Sequence, residues 1–297
     1  MAKPLSNIRV LDMSRILAGP WATQNLADLG AEVIKIENPG SGDDTRQMGP
    51  PFLHDPTTGE PGDAAYFLCC NRGKKSVAID FTHPDGQAVL RKMVLEADVL
   101  VENYKVGSLS KYGLDYPALK AINPELIYCS VTGFGQTGPY KDRAGYDYLI
   151  QGMGGLMSVT GERDDLPGGG PQRVGVAVSD LMAGMYATVG ILAALHHRAL
   201  GNGGQHIDIS LLDCQVGSLV NQGLNYLVTG QSPQRMGSGH PNIAPYAVYP
   251  ASDGHLILAV GNDVQFRRLC AAVGDPEVGI DERFASIRMR VKNRAAL

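Results

Sequence analysis

The first forty residues constrain the fold more than any other part of the chain. IRVLD at 8–12 reads as a buried strand, Pro20 opens a helix through WATQNLADLG that Gly30 stops, and AEVIKIE is a second strand ending at Glu37. Proline suits the first turn of a helix and glycine its end. A strand, a helix and a strand in so short a length imply parallel pairing through a right-handed crossover. The pattern continues with strands predicted at Val77–Asp80, Val99–Glu102 and Leu126–Val131, and helices at Pro84–Ala97 and near Asp115–Ile122. Strand alternating with helix predicts an α/β layer fold.

The remaining segments are less regular. Residues 38–63 are rich in Gly, Pro, Asp and Thr and read as one long loop, a kind of segment that tends to be functional or mobile. A second glycine- and proline-rich stretch, GERDDLPGGGPQRVG, leads into VGVAVSDLMAGMYATVGILAAL at 174–195. There a short β-type run, Val174–Val178, turns beyond Ser179 into an apolar helix with small residues at Ala183, Gly184, Ala187 and Gly190. GNGGQHIDISLLD reads as a turn, a strand and the start of a helix over 211–228. MGSGHPNIAPY is a loop, AVYPASDGHLILAVG a hairpin turning at Ser-Asp-Gly, and the final segment is polar and helical.

Composition narrows the class of function. With 297 residues, 44% of them apolar and 19% charged, the chain is long enough for a large and a small domain and reads as a soluble globular protein. A net charge of −4 argues against a general nucleic-acid or membrane-surface binder. MAKPLSNIRVLD lacks the apolar core of a signal peptide, so the expected location is the cytoplasm, or the mitochondrial matrix in a eukaryote. The five cysteines form no C-x-x-C pair and are expected to be buried and reduced. His196 and His197, adjacent on a helix, point to different sides, and no metal site is expected.

Asp180 is the leading candidate for chemistry. A carboxylate at the first turn of a helix meets outward-pointing N–H groups and the positive end of the dipole, which favours its ionised form. An ionised carboxylate is a nucleophile toward an activated acyl group. The alternative is structural, since Ser179 or Asp180 would serve as an ordinary helix N-cap. GFGQTG at 133–138 matches a dinucleotide fingerprint in letters only, because Pro139 stands where the phosphate-binding helix should begin. Glu37 sits where a ribose-binding acid would, but without the glycines a nicotinamide site is not expected. A nucleotide-shaped ligand at the strand C-terminal ends is expected, because open α/β sheets bind ligands there. Basic residues at Arg72, Lys74, Lys75, Lys105 and Lys111 are suited to phosphates or to solvated loops, and Tyr104 beside Asn103 to an adenine or to a cavity rim. Arg15, directly after the first strand, suits a substrate carboxylate or an ion pair with Asp43 or Asp44.

Taken in order, VLDMSRILAGPWATQNLADLGAEVIKIENPGSGDDTR, NRGKKSVAIDF, ADVLVENYKVGSLSKYGLDY, SVTGFGQTGPY, RAGYDYLIQGMGGLMSVTG, VAVSDLMAGMYA and HPNIAPY resemble the family III CoA-transferases (CaiB/BaiF type) over nearly the whole chain. GDDTR, GPPF and AGYD are most similar to the branch that moves CoA between succinyl-CoA and another dicarboxylate such as glutarate. The resemblance implies a nucleophile at Asp180 and CoA contacts at Ile16, Leu17, Ile79, Asn103, Tyr104, Lys105, Lys111 and Tyr146. Substrate contacts are expected at Arg15 and in the loop of Gly237, Gly239 and His240, which would close over the intermediate and exclude water.

The resemblance also implies a Rossmann-like parallel-sheet domain with a smaller α+β domain, and a homodimer of interlocked chains. The expected division is a large CoA-binding domain over 1–200, a linker and helix over 201–230 and a partial small domain over 231–297, with the family's returning C-terminal segment absent. The expected substrates are an acyl-CoA thioester and a small carboxylic acid. No permanently bound cofactor, nucleic acid or membrane is expected. In a sister branch, α-methylacyl-CoA racemase, a histidine takes the place of Tyr146, and tyrosine, with an ordinary pKa of about 10, is a poor base near neutrality. Transfer is therefore expected over racemisation. A truncated, non-catalytic CoA-binding protein is the third reading.

Overall fold

The alternation folds into a parallel sheet. A computed structural model describes residues 3–297. In chain order its elements are β1 (Arg9–Asp12), α1 (Ala18–Asp28), β2 (Glu32–Glu37), β3 (Phe52–His54), β4 (Pro61–Ala64), α2 (Ala65–Leu68), β5 (Lys75–Ala78), α3 (Pro84–Val94), β6 (Val99–Glu102), α4 (Tyr116–Ile122) and β7 (Ile127–Thr132). There follow α5 (Asp147–Met153), α6 (Leu156–Val159), α7 (Val178–His197), β8 (His206–Ser210), α8 (Leu211–Gly217), α9 (Val220–Thr229), β9 (Tyr246–Ala251), β10 (Gly254–Ala259), α10 (Asp263–Ala272) and α11 (Ile287–Lys292).

Two compact units result, one of residues 1–155 and 175–223, the other of 156–174 and 224–297. The sequence division at 200 and 230 keeps 156–174 with the first part and sets 201–230 apart, whereas here 156–174 and 224–230 group with the second unit and 201–223 with the first. The 156–174 segment leaves and rejoins the first unit through loops whose tertiary partners the local pattern does not announce.

The first unit holds six parallel strands in the order β5-β2-β1-β6-β7-β8. Because side chains alternate along a strand, each strand feeds two cores. Val10, Val33, Val99, Val101, Ile127, Cys129 and Val131 face α1 and α7. Leu11, Ile36, Leu100 and Tyr128 face the side of α3 and α4, where Leu90, Val94 and Leu119 are buried. Helix α7 packs on α1 so closely that a Cβ at Gly184 would lie 2.6 Å from the Ala18 carbonyl oxygen. Gly184→Val is expected to destabilise the protein by about 1–3 kcal/mol through overpacking. An unchanged urea midpoint would contradict that packing. By length and composition residues 178–202 could also cross a membrane. Here Ala183, Ala187, Ile191 and Ala194 of that helix are buried in the core.

In the second unit β9 and β10 pair antiparallel with a two-residue loop at Ser252 and Asp253, as the Ser-Asp-Gly turn predicted. Its core gathers Val260, Phe266, Cys270 and Phe284. The buried Arg290 donates to the Ala244 and Phe284 carbonyls at 2.9 Å each and pairs with Asp263 at 2.8 Å. Each of its three nitrogens has an acceptor, and a buried guanidinium needs such partners.

Several expectations fail locally. The 38–63 segment is not one structureless loop, since β3 and β4 pair within it. Residues 174–178 form no strand, and α7 begins at Val178. The helix expected over 211–228 breaks between α8 and α9, where Val220 takes φ 46°, a left-handed conformation that is rare for a β-branched residue. Cys69 is exposed, although the other four cysteines are buried as expected.

Candidate active site

Reading outward from β1, the strand order runs one way through β2 to β5 and the other through β6 to β8. The chain therefore leaves β1 and β6 in opposite directions, and a crevice opens outside their carboxyl ends. There a cavity of about 420 Å³ is lined by the loop after β1 (Arg15, Ile16, Leu17), the loop after β6 (Asn103, Tyr104, Lys105), Tyr146, Asp147 and Asp180. A second cavity of about 190 Å³ shares Arg15 and Tyr104 with it and adds Ile79, Phe81 and Lys35. No dinucleotide loop follows β7. Gly133 and Gly145 press together there, a Cβ on Gly133 falling 2.4 Å from the Gly145 Cα, and no helix begins until Asp147.

Asp180 lies in the first turn of α7 but does not cap it, and neither does Ser179. Ala177 holds the cap position without a side-chain hydrogen bond. The orphan N–H groups are satisfied from α5 instead: Asp147 Oδ1 accepts from the Ser179 N–H at 2.8 Å and the Asp180 N–H at 3.4 Å. Asp147 Oδ2 accepts from Gln151 Nε2 at 2.7 Å, and the Ser179 hydroxyl donates to Gln215 at 2.8 Å. The Asp180 side chain is thereby left to face the cavity.

The helix dipole is not the dominant influence on the Asp180 carboxyl. Burial, with the nearby charge of Asp147 adding to it, pushes the Asp180 carboxyl up to about 7. A dipole end contributes at most about 2 kcal/mol, which desolvation of a carboxylate exceeds. Near neutrality this group is a poorly solvated anion in part of the population. Tyr66, half-buried, feels it: burial first and then the charge of Asp180 raise its phenol to about 12, so it stays a donor. Sequence reading missed both Tyr66 and Asp147, since neither belongs to a spacing pattern.

The loop after β1 is held from below by buried ions. Lys74 pairs with Asp12 at 2.8 Å and Lys35 with Asp43 at 2.8 Å. Burial alone would raise the Asp12 carboxyl, but the two ammonium groups overcome it and hold it at about 2. Arg46 bridges Glu37 and Asp63. Glu37 and Lys74 are thus parts of this scaffold rather than free ligand groups. Lys74→Met removes the ion-pair partner of the buried Asp12 and leaves it only the Lys35 ammonium and the Ser14 and Thr23 donors, and a loss of up to about 3–5 kcal/mol in urea unfolding is expected. The depressed Asp12 carboxylate gives stability that is present above its unfolded value of 3.8 and lost as pH falls toward about 2. Above this scaffold Ile16, which lines the cavity, takes φ 70°, a strained value for a β-branched residue.

A family model described as CoA-transferase family III matches residues 5–297. The chain belongs to that family. A succinate–glutarate CoA-transferase of Agrobacterium fabrum is 55% identical to this family III chain over 98% of the chain and 72% of its own length. A succinyl-CoA:glutarate CoA-transferase of Mus musculus is 44% identical over 99% of the chain, which spans 65% of that relative. A CaiB/BaiF family protein from Brucella suis, solved by crystallography, superposes with a TM-score of 0.86 at 55% identity, covering 100% of this chain and 76% of that one.

The family III chain brings most of the sequence-predicted residues together. Arg15, Ile16, Leu17, Asn103, Tyr104, Lys105, Tyr146 and Asp180 line one cavity, and Ile79 lines the second. Lys111 lines neither and rests over the Tyr112 ring at 4.7 Å. Arg15 makes the ion pair with Asp44, at 3.1 Å. Gly237, Gly239 and His240 belong to the second unit. There the Gly237 N–H donates to Gly161, the His240 carbonyl accepts from Arg294 at 2.7 Å, and the His240 ring meets Tyr246 edge-on.

Proposed function

We propose that this chain transfers coenzyme A from succinyl-CoA or a similar donor to a dicarboxylic acid, through covalent intermediates on Asp180. One observation supports this most: a carboxylate at about neutral pKa, freed from capping by Asp147, facing the crevice at the strand ends. Its oxygen attacks the thioester carbonyl, the C–S bond breaks, and CoA thiolate leaves behind a mixed anhydride. The thiolate then attacks the aspartyl carbonyl, releasing the donor acid and forming an aspartyl-CoA thioester. The acceptor carboxylate attacks that carbonyl, the thiolate is expelled again, and its attack on the acceptor acyl carbon regenerates the Asp180 carboxylate. Each covalent state is neutral at Asp180, so forming it relieves the desolvation that raises the carboxyl's pKa.

Tyr104, Ile79 and Phe81 are suited to an adenine, Asn103 and Lys105 to the rest of CoA, and Arg15 to the far carboxylate of a diacid. The similarity to glutarate-using relatives favours succinate and glutarate as the acid pair. A homodimer is part of the reading, because Met185, Tyr186 and Val189 of α7 and Leu224, Leu227 and Val228 of α9 are exposed. A cytoplasmic location is consistent with five unpaired cysteines. A panel of acyl-CoA donors against dicarboxylate acceptors, read by mass spectrometry of the CoA products, tests the assignment. Deuterium exchange at the α-carbon of a 2-methylacyl-CoA in place of transfer would mean racemisation instead.

A further inference from the structure

Among the described residues one buried carboxylate outside the transfer chemistry has no ion-pair partner. Glu102 ends β6, is 5% exposed, and has no lysine or arginine partner among the described residues. Its Oε2 accepts from the Tyr104 N–H at 2.8 Å. The Ser130 hydroxyl on the neighbouring strand favours its charge, though burial outweighs this and raises the carboxyl to about 7. Ser130 Oγ lies 3.0 Å from His206 Nε2, and the His206 ring stacks on Tyr116 with centroids 4.8 Å apart. Residues Glu102, Ser130 and His206 also line a small cavity of about 220 Å³ on the α4 side of the sheet, behind the loop after β6.

That loop is held at two adjacent residues. The Asn103 side chain is locked to the Arg15 backbone in both directions, accepting from its N–H at 2.9 Å and donating to its carbonyl at 2.6 Å. Tyr104 is held by Glu102, and Tyr104 is shared by the two front cavities. An unpaired carboxylate costs free energy to bury, and a fold tolerates it where something depends on its acceptor.

We propose that Glu102, supported by Ser130 and His206, is a positioning residue that sets the Asn103–Lys105 loop for an acyl-CoA spanning the two front cavities. The inference rests on the CoA-thioester reading. Glu102 itself lines neither front cavity, so its removal acts on affinity rather than on the acyl-transfer steps.

Glu102→Leu keeps the bulk and removes the acceptor. It is expected to raise KM for the acyl-CoA and Kd for free CoA about ten-fold or more, with kcat within about three-fold. Glu102→Gln restores an acceptor for the Tyr104 N–H and is expected to return both constants to within about three-fold of the wild type. Ser130→Ala is expected to give a smaller rise in KM of the same kind. Amide hydrogen exchange at 103–105 should accelerate in Glu102→Leu and not in Glu102→Gln. Three outcomes overturn the proposal: unchanged KM and exchange in Glu102→Leu, a fall confined to kcat, or a global loss of folding that Glu102→Gln shares. Calorimetry of CoA on the wild type separates the two readings. If the wild type does not bind CoA, the functional reading fails, whereas wild-type binding with an unaffected Glu102→Leu sinks only the role of Glu102.

Discussion

Asp180→Asn abolishes transfer and makes the protein more stable at alkaline pH. The amide keeps the shape but supplies no nucleophilic oxygen, so kcat is expected to fall by at least about 10⁴-fold, with CoA affinity kept within a few-fold. The stability effect follows from the raised carboxyl. An acid whose folded pKa lies above its unfolded value favours folding in its protonated form. The wild type is therefore penalised progressively as pH rises from about 4, where the unfolded group ionises, to about 7, and fully above that. Asparagine carries no such penalty. The variant and wild type should unfold at the same urea concentration near pH 4, and the variant should be more stable at pH 8 by up to about 4 kcal/mol. Transfer retained in the variant would end the nucleophile assignment, and equal stability at both pH values would end the account of its charge. Hydroxylamine added during turnover should mark residue 180 alone.

Asp147 carries the second large effect. Asp147→Ala exposes the Ser179 and Asp180 N–H groups, at a cost of about 1–2 kcal/mol for a lost cap. Asp180 is the acidic residue in the first turn of α7, and without Asp147 its side chain would be drawn from the cavity to its own helix. A fall in kcat of about 10²–10³-fold is expected, the scale of a misplaced reacting group. Asp147→Asn separates position from charge, because its amide oxygen still accepts the two N–H groups. It should keep most of the stability, and with the like charge gone the acidic limb of the rate profile should move to lower pH, by less than the burial that remains contributes. An unmoved limb in Asp147→Asn, or full activity in Asp147→Ala, would refute the role.

The strand at 99–102 and the β1-to-β2 crossover were legible because apolar runs punctuated by Pro20 and Gly30 leave little choice of pairing. The cavity was legible in outline for the same reason, since parallel strands place the residues following them, Arg15 and Asn103 among them, at one edge. The hairpin in 38–63 escaped because β3 and β4 are short and irregularly paired, with no alternation to read. Cys69 and Cys70 share one local context, yet one is exposed and the other buried.

From residues in a row came the parallel sheet, the helix carrying Asp180 and the motifs that mark the family, because periodicity and turn chemistry act over a few residues. Two matters waited for the folded chain: which group closes the start of α7, and whether Asp180 keeps its proton. Both depend on Asp147, 33 residues away, and on how much water the packed elements shut out. Solvation and long-range partners are properties of an enclosed space, and no local pattern of side chains carries them.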